Sequence, residues 1–352
     1  MDAPRISIII LNWNGWRDTI ECLESLYRIT YPNYDVIVVD NGSKDDSIQK
    51  IKEYASGKIK ANSKFFKFNP NNKPIKVFEI DEDEAKQGKF DRPLYEKLDP
   101  DRRMILIKNK DNYGFAGGNN IGMKFALSVL NPDYVLLLNN DTVVDRHFLD
   151  ELVKVAESDK KIGIVGPKVY YYNYNGRSDV IVFTGVNLLL WKGGEKCYGF
   201  RKIDNGQWDM LMEVDKIEGS CMLIKKEVLQ NVGFFDDSFF AYWEETDLCF
   251  RSKKAGYKLV YVPSAKVWHK VDESLSKSSW FRVYLLSRNK IFFYRKNMLT
   301  GYSFLNFVYF ILVDFWLKLL IYSKIGALSL FIWYSLGMLD GVLGITNRIK
   351  LK

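Results

Sequence analysis

Between Tyr134 and Asp141 the chain reads YVLLLNND, an apolar run from Val135 to Leu138 that stops at two amides and an acid. A run so short and so purely apolar is the pattern of a strand buried on both faces, as in mostly parallel sheets covered by helices. It enters from Asn131-Pro132-Asp133, a turn signal. In open α/β sheets ligands bind beyond the carboxyl ends of the strands. Amides and one carboxylate delivered there suit a hard cation meeting phosphate oxygens. The same residues also suit a plain turn that caps a helix beginning near Asp145.

The first half repeats this theme. Ile6 to Leu11 reads as a buried strand, followed by Asn12-Trp13-Asn14-Gly15 and an amphipathic helix from about Arg17 to Tyr27. Val36 to Val39 runs into Asp40-Asn41-Gly42-Ser43, with Lys44 to Ser47 opening another helix. Strand, polar terminus and helix in alternation predict a parallel sheet built from βαβ crossovers. Asp40 is placed to accept hydrogen bonds from a base or ribose; its alternative role is a turn acid, with Ser43 or Asp45 capping the helix. Residues 58 to 103 interrupt the rhythm with Lys, Asn, Asp and Pro, and EIDEDEAKQGKFDRP reads as a solvated charge run. We expect an insertion on the sheet's rim, with at most a small hairpin at Lys76 to Ile80 and surface acids. The sheet resumes with Met104 to Lys108. Asn112 to Gly122 is neither a P-loop nor GxGxxG. Its glycines and asparagines read as a loop before a helix reaching Val129, where backbone N–H groups can approach an anion.

Further on, a helix from about Arg146 to Ser158 and a strand from Gly163 to Tyr170 precede a Tyr-rich region reaching Asp209. Those aromatics suit either sugar stacking or the core of an edge hairpin. Val214 to Lys216 and Ser220 to Ile224 read as strands around Glu218-Gly219, where glycine lets an acceptor near the backbone. In FFAYWEETDLCFR, Glu244, Glu245 and Asp247 open a helix behind an aromatic wall, and Asp247 can pair with Arg251 at i,i+4. A general base must be ionised and within reach of a hydroxyl. The helix dipole favours ionisation, and desolvation by the wall raises basicity. Of the two histidines, His147 sits in a polar helix start and is expected at the surface. His269 closes the run Ala265 to Trp268 at a strand end, and is the one imidazole able to complete a cation site.

Composition narrows the setting. The four cysteines, Cys22, Cys197, Cys221 and Cys249, show no metal-ligand spacing and no disulfide framework, which favours a reducing compartment. MDAPRISIII has none of the features of a signal peptide, so the catalytic body is expected in the cytosol. The net charge of +8 lies in the tail: Phe281 to Lys352 holds ten Lys/Arg against two Asp, leaving a neutral body. A basic, aromatic-rich, apolar tail points to an anionic membrane surface, and the body lacks the basic stripe of nucleic-acid binders. Asn297 to Val313 is uncharged for 17 residues and Ile325 to Leu339 for 15. Both are short of the ~18–20 apolar residues of a spanning helix. Ser303, Asn306, Asp314 and Lys318 share one side of a helical wheel. We expect an interfacial helical hairpin, with a spanning pair, a soluble cap or a dimer interface as alternatives.

VVDNGSKDDS, NYGFAGGNNIG, LLLNNDT, FFAYWEETDLCFR and VWH, in this order, closely resemble family 2 glycosyltransferases of the GT-A fold. The nearest match is the rhamnosyltransferase-like subgroup that builds cell-surface or lipid-linked glycans. The resemblance covers about residues 4 to 57 and 104 to 296. It implies a Rossmann-like α/β domain over 1–280, with 58–103 inserted, 1–142 mainly nucleotide-binding and 143–280 mainly acceptor-binding. A helical, membrane-associated appendage would occupy 281–352. Asp40 would contact the base or ribose, with Asn12 and Asn41 nearby; Asn112, Gly117 and Asn119 would form the donor-pocket loop. Asn139-Asn140-Asp141 occupies the Asp-x-Asp position, with Asp141 the ligand of Mn2+ or Mg2+ and Asn139 replacing the first acid. Glu245 falls at the Asp of the family's Glu-Asp pair and would be the base, with Glu244 beside it. His269 matches a histidine that helps bind metal or diphosphate in some relatives, and Arg288 would contact the diphosphate. The implied activity is hexosyltransferase-type and inverting. It would move a sugar such as rhamnose from a nucleoside-diphosphate donor to a lipid-linked or polysaccharide acceptor, at the cytoplasmic face of a membrane. An oligomer is compatible with this. Two other classes stay open: a non-catalytic nucleotide-sugar-binding component of a glycan-assembly complex, and a nucleotidyltransferase on a related sheet.

Overall fold

The computed structural model describes residues 3–190, 194–271, 280–297 and 309–346. The first half holds β1 (Ile6–Asn12), α1 (Trp16–Leu26), β2 (Tyr34–Asp40), α2 (Ser47–Ala55), β3 (Lys76–Asp81), α3 (Glu82–Gln87), α4 (Arg92–Tyr95), β4 (Arg103–Lys108), α5 (Gly114–Phe125) and β5 (Tyr134–Asn139). The second holds β6 (Thr142–Val144), α6 (Phe148–Ala156), β7 (Ile162–Tyr171), β8 (Ile181–Phe183), β9 (Val186–Leu189), β10 (Gly194–Cys197), β11 (Met212–Glu213), β12 (Cys221–Lys225), α7 (Lys226–Val232), α8 (Glu244–Lys254) and β13 (Lys258–His269). Three tail helices follow: α9 (Trp280–Asn297), α10 (Phe315–Lys324) and α11 (Leu328–Leu343).

One large sheet runs β3-β4-β2-β1-β5-β12-β7-β13-β11, with β6 paired to β13 and β8 to β7. The five strands from β3 to β5 are all parallel, and β12 enters antiparallel between β5 and β7. Alternate residues of the central strands face opposite helical layers, as the apolar runs predict. Ile8 and Ile10 pack with Leu23 of α1, Ile51 of α2 and Leu152 of α6. Ile9 and Val39 pack with Met123 of α5, Val228 of α7 and Leu248 of α8.

Several expectations are corrected. Lys76 to Ile80 forms no hairpin: β3 pairs parallel with β4 from Lys76↔Arg103 to Asp81↔Lys108 and extends the main sheet. A short strand's pattern cannot say which neighbour it will choose. Nor are all the acids that follow at the surface. Glu82 is buried, accepting from the Lys110 N–H and the Tyr113 hydroxyl, while Asp81 and Glu84 form a capping box on α3. The glycine run is not a loop before a helix but the helix itself. A Cβ on Gly118 would lie 2.5 Å from Leu11 Cδ1, and one on Gly122 2.8 Å from Ile9 Cγ2. These glycines bring α5 onto the sheet. Val214 to Lys216 is not a strand; the short strand is β11, just before it. The Tyr-rich stretch builds a small edge core around Tyr171, Phe183 and Val186, with β9 and β10 as a separate hairpin.

α9 does not stand apart from the body. Phe293 packs on Trp243 and Phe250, and Phe292 on Phe239, so the expected division after residue 280 runs through a packed interface. α11 lies on α9 at glycines: a Cβ on Gly341 would be 2.6 Å from the Arg288 carbonyl oxygen, and one on Gly337 would strike Ser287. The Tyr284 hydroxyl donates to Asp340 across this seam at 2.7 Å. Among the described residues no helix is long and apolar enough to cross a membrane. Residues 298–308 lie outside the described residues, and with them Ser303, Asn306 and most of the run from Asn297 to Val313.

Candidate functional site

Sheet register sets the first wall of the cleft. Asn12 pairs with Asp40, and Leu11 with Asn139, so three strands deliver polar termini to one edge. Asn12 Nδ2 donates to Asp40 Oδ2 at 2.7 Å, and the Ser43 N–H donates to Asp40 Oδ1 at 3.0 Å. The Thr19 hydroxyl donates to Asn12 Oδ1, and Asn140 Nδ2 donates to that same hydroxyl at 3.0 Å. Asn140 therefore leans on α1. Asn41 donates to Asn112 Oδ1 at 2.9 Å and to the Gly114 carbonyl, and accepts from Asn109 Nδ2. Asn119 is buried and donates back to the Phe115 carbonyl one turn earlier. A Cβ on Gly117 would lie 2.8 Å from Tyr113 Cβ. Both belong to α5, not to an open donor loop.

The second wall begins where β5 ends. Asn139 donates its N–H to the Ser220 carbonyl and Asp141 sits in the turn before β6. β6 then reverses to pair with β13, setting Thr142 opposite His269. This brings His269 Nε2 to 3.1 Å from Asp141 Oδ1. Burial alone would depress the imidazole, but the Asp141 carboxylate, with Glu218 behind it, holds His269 above its ordinary value. Burial would likewise raise Asp141, yet the histidine keeps its carboxyl below the usual range. The other ring nitrogen, Nδ1, is buried with no hydrogen-bond partner.

The glutamates come from α8, entered through a contorted turn. Phe240, Tyr242 and Trp243 all take positive φ, at 64°, 69° and 75°, conformations that cost a bulky L-residue about 1–3 kcal/mol each. Glu244 is buried; burial first, and Glu245 second, push its carboxyl well above the ordinary value. Glu245 Oε1 lies 3.0 Å from Lys216 Nζ, and Glu245 Oε2 is buried without a hydrogen-bond partner. Burial opposes the Lys216 charge, but Glu245, Glu195 and Glu218 together hold the ammonium above its usual range. Gly219 leaves room beside this group: a Cβ there would be 3.4 Å from the Phe115 ring and 3.7 Å from Glu245 Cβ. Glu218, raised by burial and eased by His269 and Lys216, links the two clusters electrostatically.

Against the first wall and the turn before α8 lies a cavity of about 460 Å³, lined among others by Trp13, Asn41, Asn112, Phe115, Tyr242 and Arg282. Asp141 and His269 supply a carboxylate and an imidazole. Among the described residues no group of three or more His, Cys, Asp or Glu converges to cage a metal. The residues fit a cation whose shell is completed by phosphate oxygens, as Mg2+ sites commonly are.

Residues 134–343 match the family model Glycosyl transferase family group 2, and residues 7–76 match Glycosyl transferase family 2. The chain belongs to glycosyltransferase family 2. Low-salt glycan biosynthesis hexosyltransferase Agl10 of Haloferax volcanii is 28% identical over 191 residues, 52% of this chain and 58% of that protein. An N-acetylglucosaminyl-diphospho-decaprenol L-rhamnosyltransferase of Mycobacterium tuberculosis is 28% identical over 147 residues, 39% of this chain and 47% of its own. The chain thus spans only about half the length of these two relatives. Rhamnosyltransferase WbbL of Escherichia coli is 29% identical over 54% of this chain and 74% of its own. Among solved structures, the mannosyltransferase PcManGT of Pyrobaculum calidifontis, in complex with GDP-Man and Mn2+, aligns at TM-score 0.56 with 14% identity, covering 99% of this chain and 89% of its own. GalNAc-T7 with UDP, GalNAc and Mn2+ aligns at 0.52 with 14% identity, covering 89% of this chain and 57% of its own. These likenesses show the fold: α/β of the GT-A type.

In this family 2 glycosyltransferase, Asp141, His269, Glu218, Glu245 and Lys216 come together. Arg288 does not join them. It is 1% exposed, and its guanidinium donates to the carbonyls of Ser238, Phe239 and Thr346 and to Asn289 Oδ1. Asn289 donates to the carbonyls of Phe239, Ala241 and Tyr242, each at 2.8 Å. An arginine so occupied is no diphosphate contact; Arg288 and Asn289 clamp the turn that delivers Glu244 and Glu245. Asp247 pairs with Arg251 at 2.7 Å as expected, and α9 adds Lys296 and Asn297 to it. His147 is exposed, again as expected. Sequence reasoning missed Lys216. Its one signal is a lone basic residue between Asp215 and Glu218 on the approach to β12.

Proposed function

We propose that this chain transfers a sugar, rhamnose being the first to test, from a nucleoside-diphosphate donor to a lipid-linked or surface-glycan acceptor, inverting the anomeric carbon. The observation that carries the reading is the meeting of Glu245 and Lys216 with Asp141 and His269 at the ends of β5, β12 and β13. Glu245 Oε2, buried and without a partner, takes the acceptor's hydroxyl proton. The acceptor oxygen forms its bond to the anomeric carbon as the sugar–phosphate bond breaks, and the electron pair leaves on the nucleoside diphosphate. One displacement from the opposite face inverts the configuration. Lys216 holds the Glu245 side chain in place. Glu244, its carboxyl pushed well above the ordinary value by burial and by Glu245, holds its proton more readily than an ionised base should, and Glu245 is taken as the base. A divalent cation bound by Asp141 and His269 would neutralise charge on the departing diphosphate. Asp40, Asn12 and Asn41 form the base and ribose end.

The tail supports attachment to the cytoplasmic face of a membrane. Leu312, Trp316, Leu320, Ile332 and Leu343 are exposed beside Lys318 and Lys324, an arrangement suited to an anionic interface. Trp316→Asp with Leu320→Asp should reduce co-sedimentation with anionic vesicles; unchanged binding speaks against this attachment. The transfer itself is tested by release of nucleoside diphosphate from a panel of nucleotide sugars, with and without Mn2+ or Mg2+. Glu245→Gln should lower turnover by roughly 10²–10⁴-fold while donor affinity holds. Near-normal turnover rejects the assignment, and pyrophosphate release from a nucleoside triphosphate favours a nucleotidyltransferase.

A further inference from the structure

We infer that Glu195, on the edge hairpin β9–β10, is a positioning residue for sugar transfer: by accepting from the Lys216 ammonium, it keeps that cation from closing on Glu245 and leaves the base free for the acceptor hydroxyl. This rests on the reading of Glu245 as the base and adds the group that governs it.

Lys216 stands between two carboxylates from different parts of the fold. Its Nζ donates to Glu195 Oε1 at 3.0 Å and forms an ion pair with Glu245 Oε1, also at 3.0 Å. The side chains of Lys216 and Glu245 are 11% and 12% exposed, that of Glu195 33%, so the hairpin reaches inward to a covered pair. A hydrogen bond to a carboxylate favours its ionised form and so weakens it as a base. An ammonium given wholly to Glu245 would blunt the group that must accept a proton. Glu195 divides it. Glu245 keeps a counter-charge that fixes its stem, while its Oε2 stays buried and without a hydrogen-bond partner.

The backbone builds this sharing in. β9 and β10 pair with each other, outside the large sheet. The hairpin is laid on the strip that carries the lysine: the N–H groups of Asp215 and Lys216 both donate to the Val186 carbonyl, and the Leu188 N–H donates to Asp215 Oδ2 at 2.9 Å. Leu188 is the register partner of Glu195, so the crossing that pins β9 also sets Glu195 beside Lys216. Leu190, just past β9, packs with Phe239, Ile291 and Phe293, tying the hairpin to the turn that α9 clamps. The neighbouring charges are otherwise engaged. Glu218 faces His269 as well as Lys216, Glu244 has its carboxyl raised by burial and by Glu245, and Asp215 pairs with Lys253. Lys290 and Tyr294 of α9 face Glu195, Tyr242 faces both glutamates of α8 and Arg282, and the Cys197 and Cys249 thiols, raised by burial, lie in the same field.

The test is the pH profile of nucleoside diphosphate release by the full chain, with the nucleotide sugar of the panel that it consumes fastest. Glu195→Gln removes the competing charge and gives Lys216 to Glu245. The acid limb should then move to lower pH by at least ~0.5 unit, with plateau turnover down ~2–10-fold and donor KM unchanged. Lys216→Met should move the limb the opposite way. A hairpin that merely braces the fold predicts the reverse for Glu195→Gln, because a loosened Lys216 would leave Glu245. A limb that stays put or moves to higher pH therefore overturns the inference. Should Glu195→Gln unfold on a thermal scan, Glu195→Asp, whose shorter stem loosens the same hydrogen bond, must still displace the limb to lower pH, by less. The same displacement is read without substrate by carbon-13 labelling of glutamate Cδ, at the carboxyl signal missing from Glu245→Gln. Near-normal turnover of Glu245→Gln removes the base, and this inference with it. An inactive Glu245→Gln beside an unmoved limb and signal in Glu195→Gln removes the role of Glu195 alone.

Discussion

Around Asp40, both carboxylate oxygens, both ends of the Asn12 amide and both ends of the Asn41 amide have protein partners. Around Glu245 the reverse holds: Oε2 of Glu244, Oε2 of Glu245 and Nδ1 of His269 are buried with none. Satisfied buried networks rigidify a fold, whereas each unmet buried group costs about 1–3 kcal/mol. The first wall is close to finished scaffold, with Asn109 Oδ1 its buried acceptor left without a partner. The second carries a deficit that a substrate's hydroxyl or phosphate can relieve.

The contrast predicts where mutations register. The largest effect belongs to Asp141→Ala, with transfer falling at least ~10³-fold, about 4 kcal/mol at the barrier, and stability changing far less. A larger loss of stability than of activity, by urea unfolding beside turnover, would break the contrast. Next, Asn289→Ala strips three turn carbonyls of a donor and should cost about 2–3 kcal/mol of stability, with lower turnover and little change in donor affinity. Asp40→Asn, on the saturated wall, should lose about 1–2 kcal/mol in the same assay. No loss would mean that this wall is not scaffold.

The last effect is a slope. Glu244 binds its proton more tightly in the fold than its ordinary 4.5 allows. Above that pH the unfolded chain holds fewer protons than the folded one, so stability drains away as pH rises toward the folded value. Glu244→Gln has no such proton. Its stability relative to wild type should climb with pH, by at most ~1.4 kcal/mol per unit, in urea midpoints taken at pH 4.5, 5.5 and 6.5. Parallel curves would show that Glu244 ionises freely in the native state.

The strands and their polar termini were legible because buried apolar runs leave little choice of structure. Asp40 and Asp141 could be placed at one edge from that rhythm alone. The meeting of His269 with Asp141 could not. It depends on β6 reversing against β13, a pairing between residues more than a hundred positions apart. The glycines of α5 misled for a related reason: glycine reads as loop unless one knows that Leu11 and Ile9 lie under it. Arg288 misled because arginine is seldom buried, and its carbonyl partners sit in a loop some fifty residues earlier.

That loop sets a limit on how such an enzyme could change its habits. Three bulky residues in left-handed geometry, pinned by a neighbouring helix at carbonyl after carbonyl, cannot hinge to welcome a differently shaped guest without first losing their fastening. New preferences would have to be written in the side chains of Phe240 and Tyr242, one exchange at a time, on a backbone that stays put.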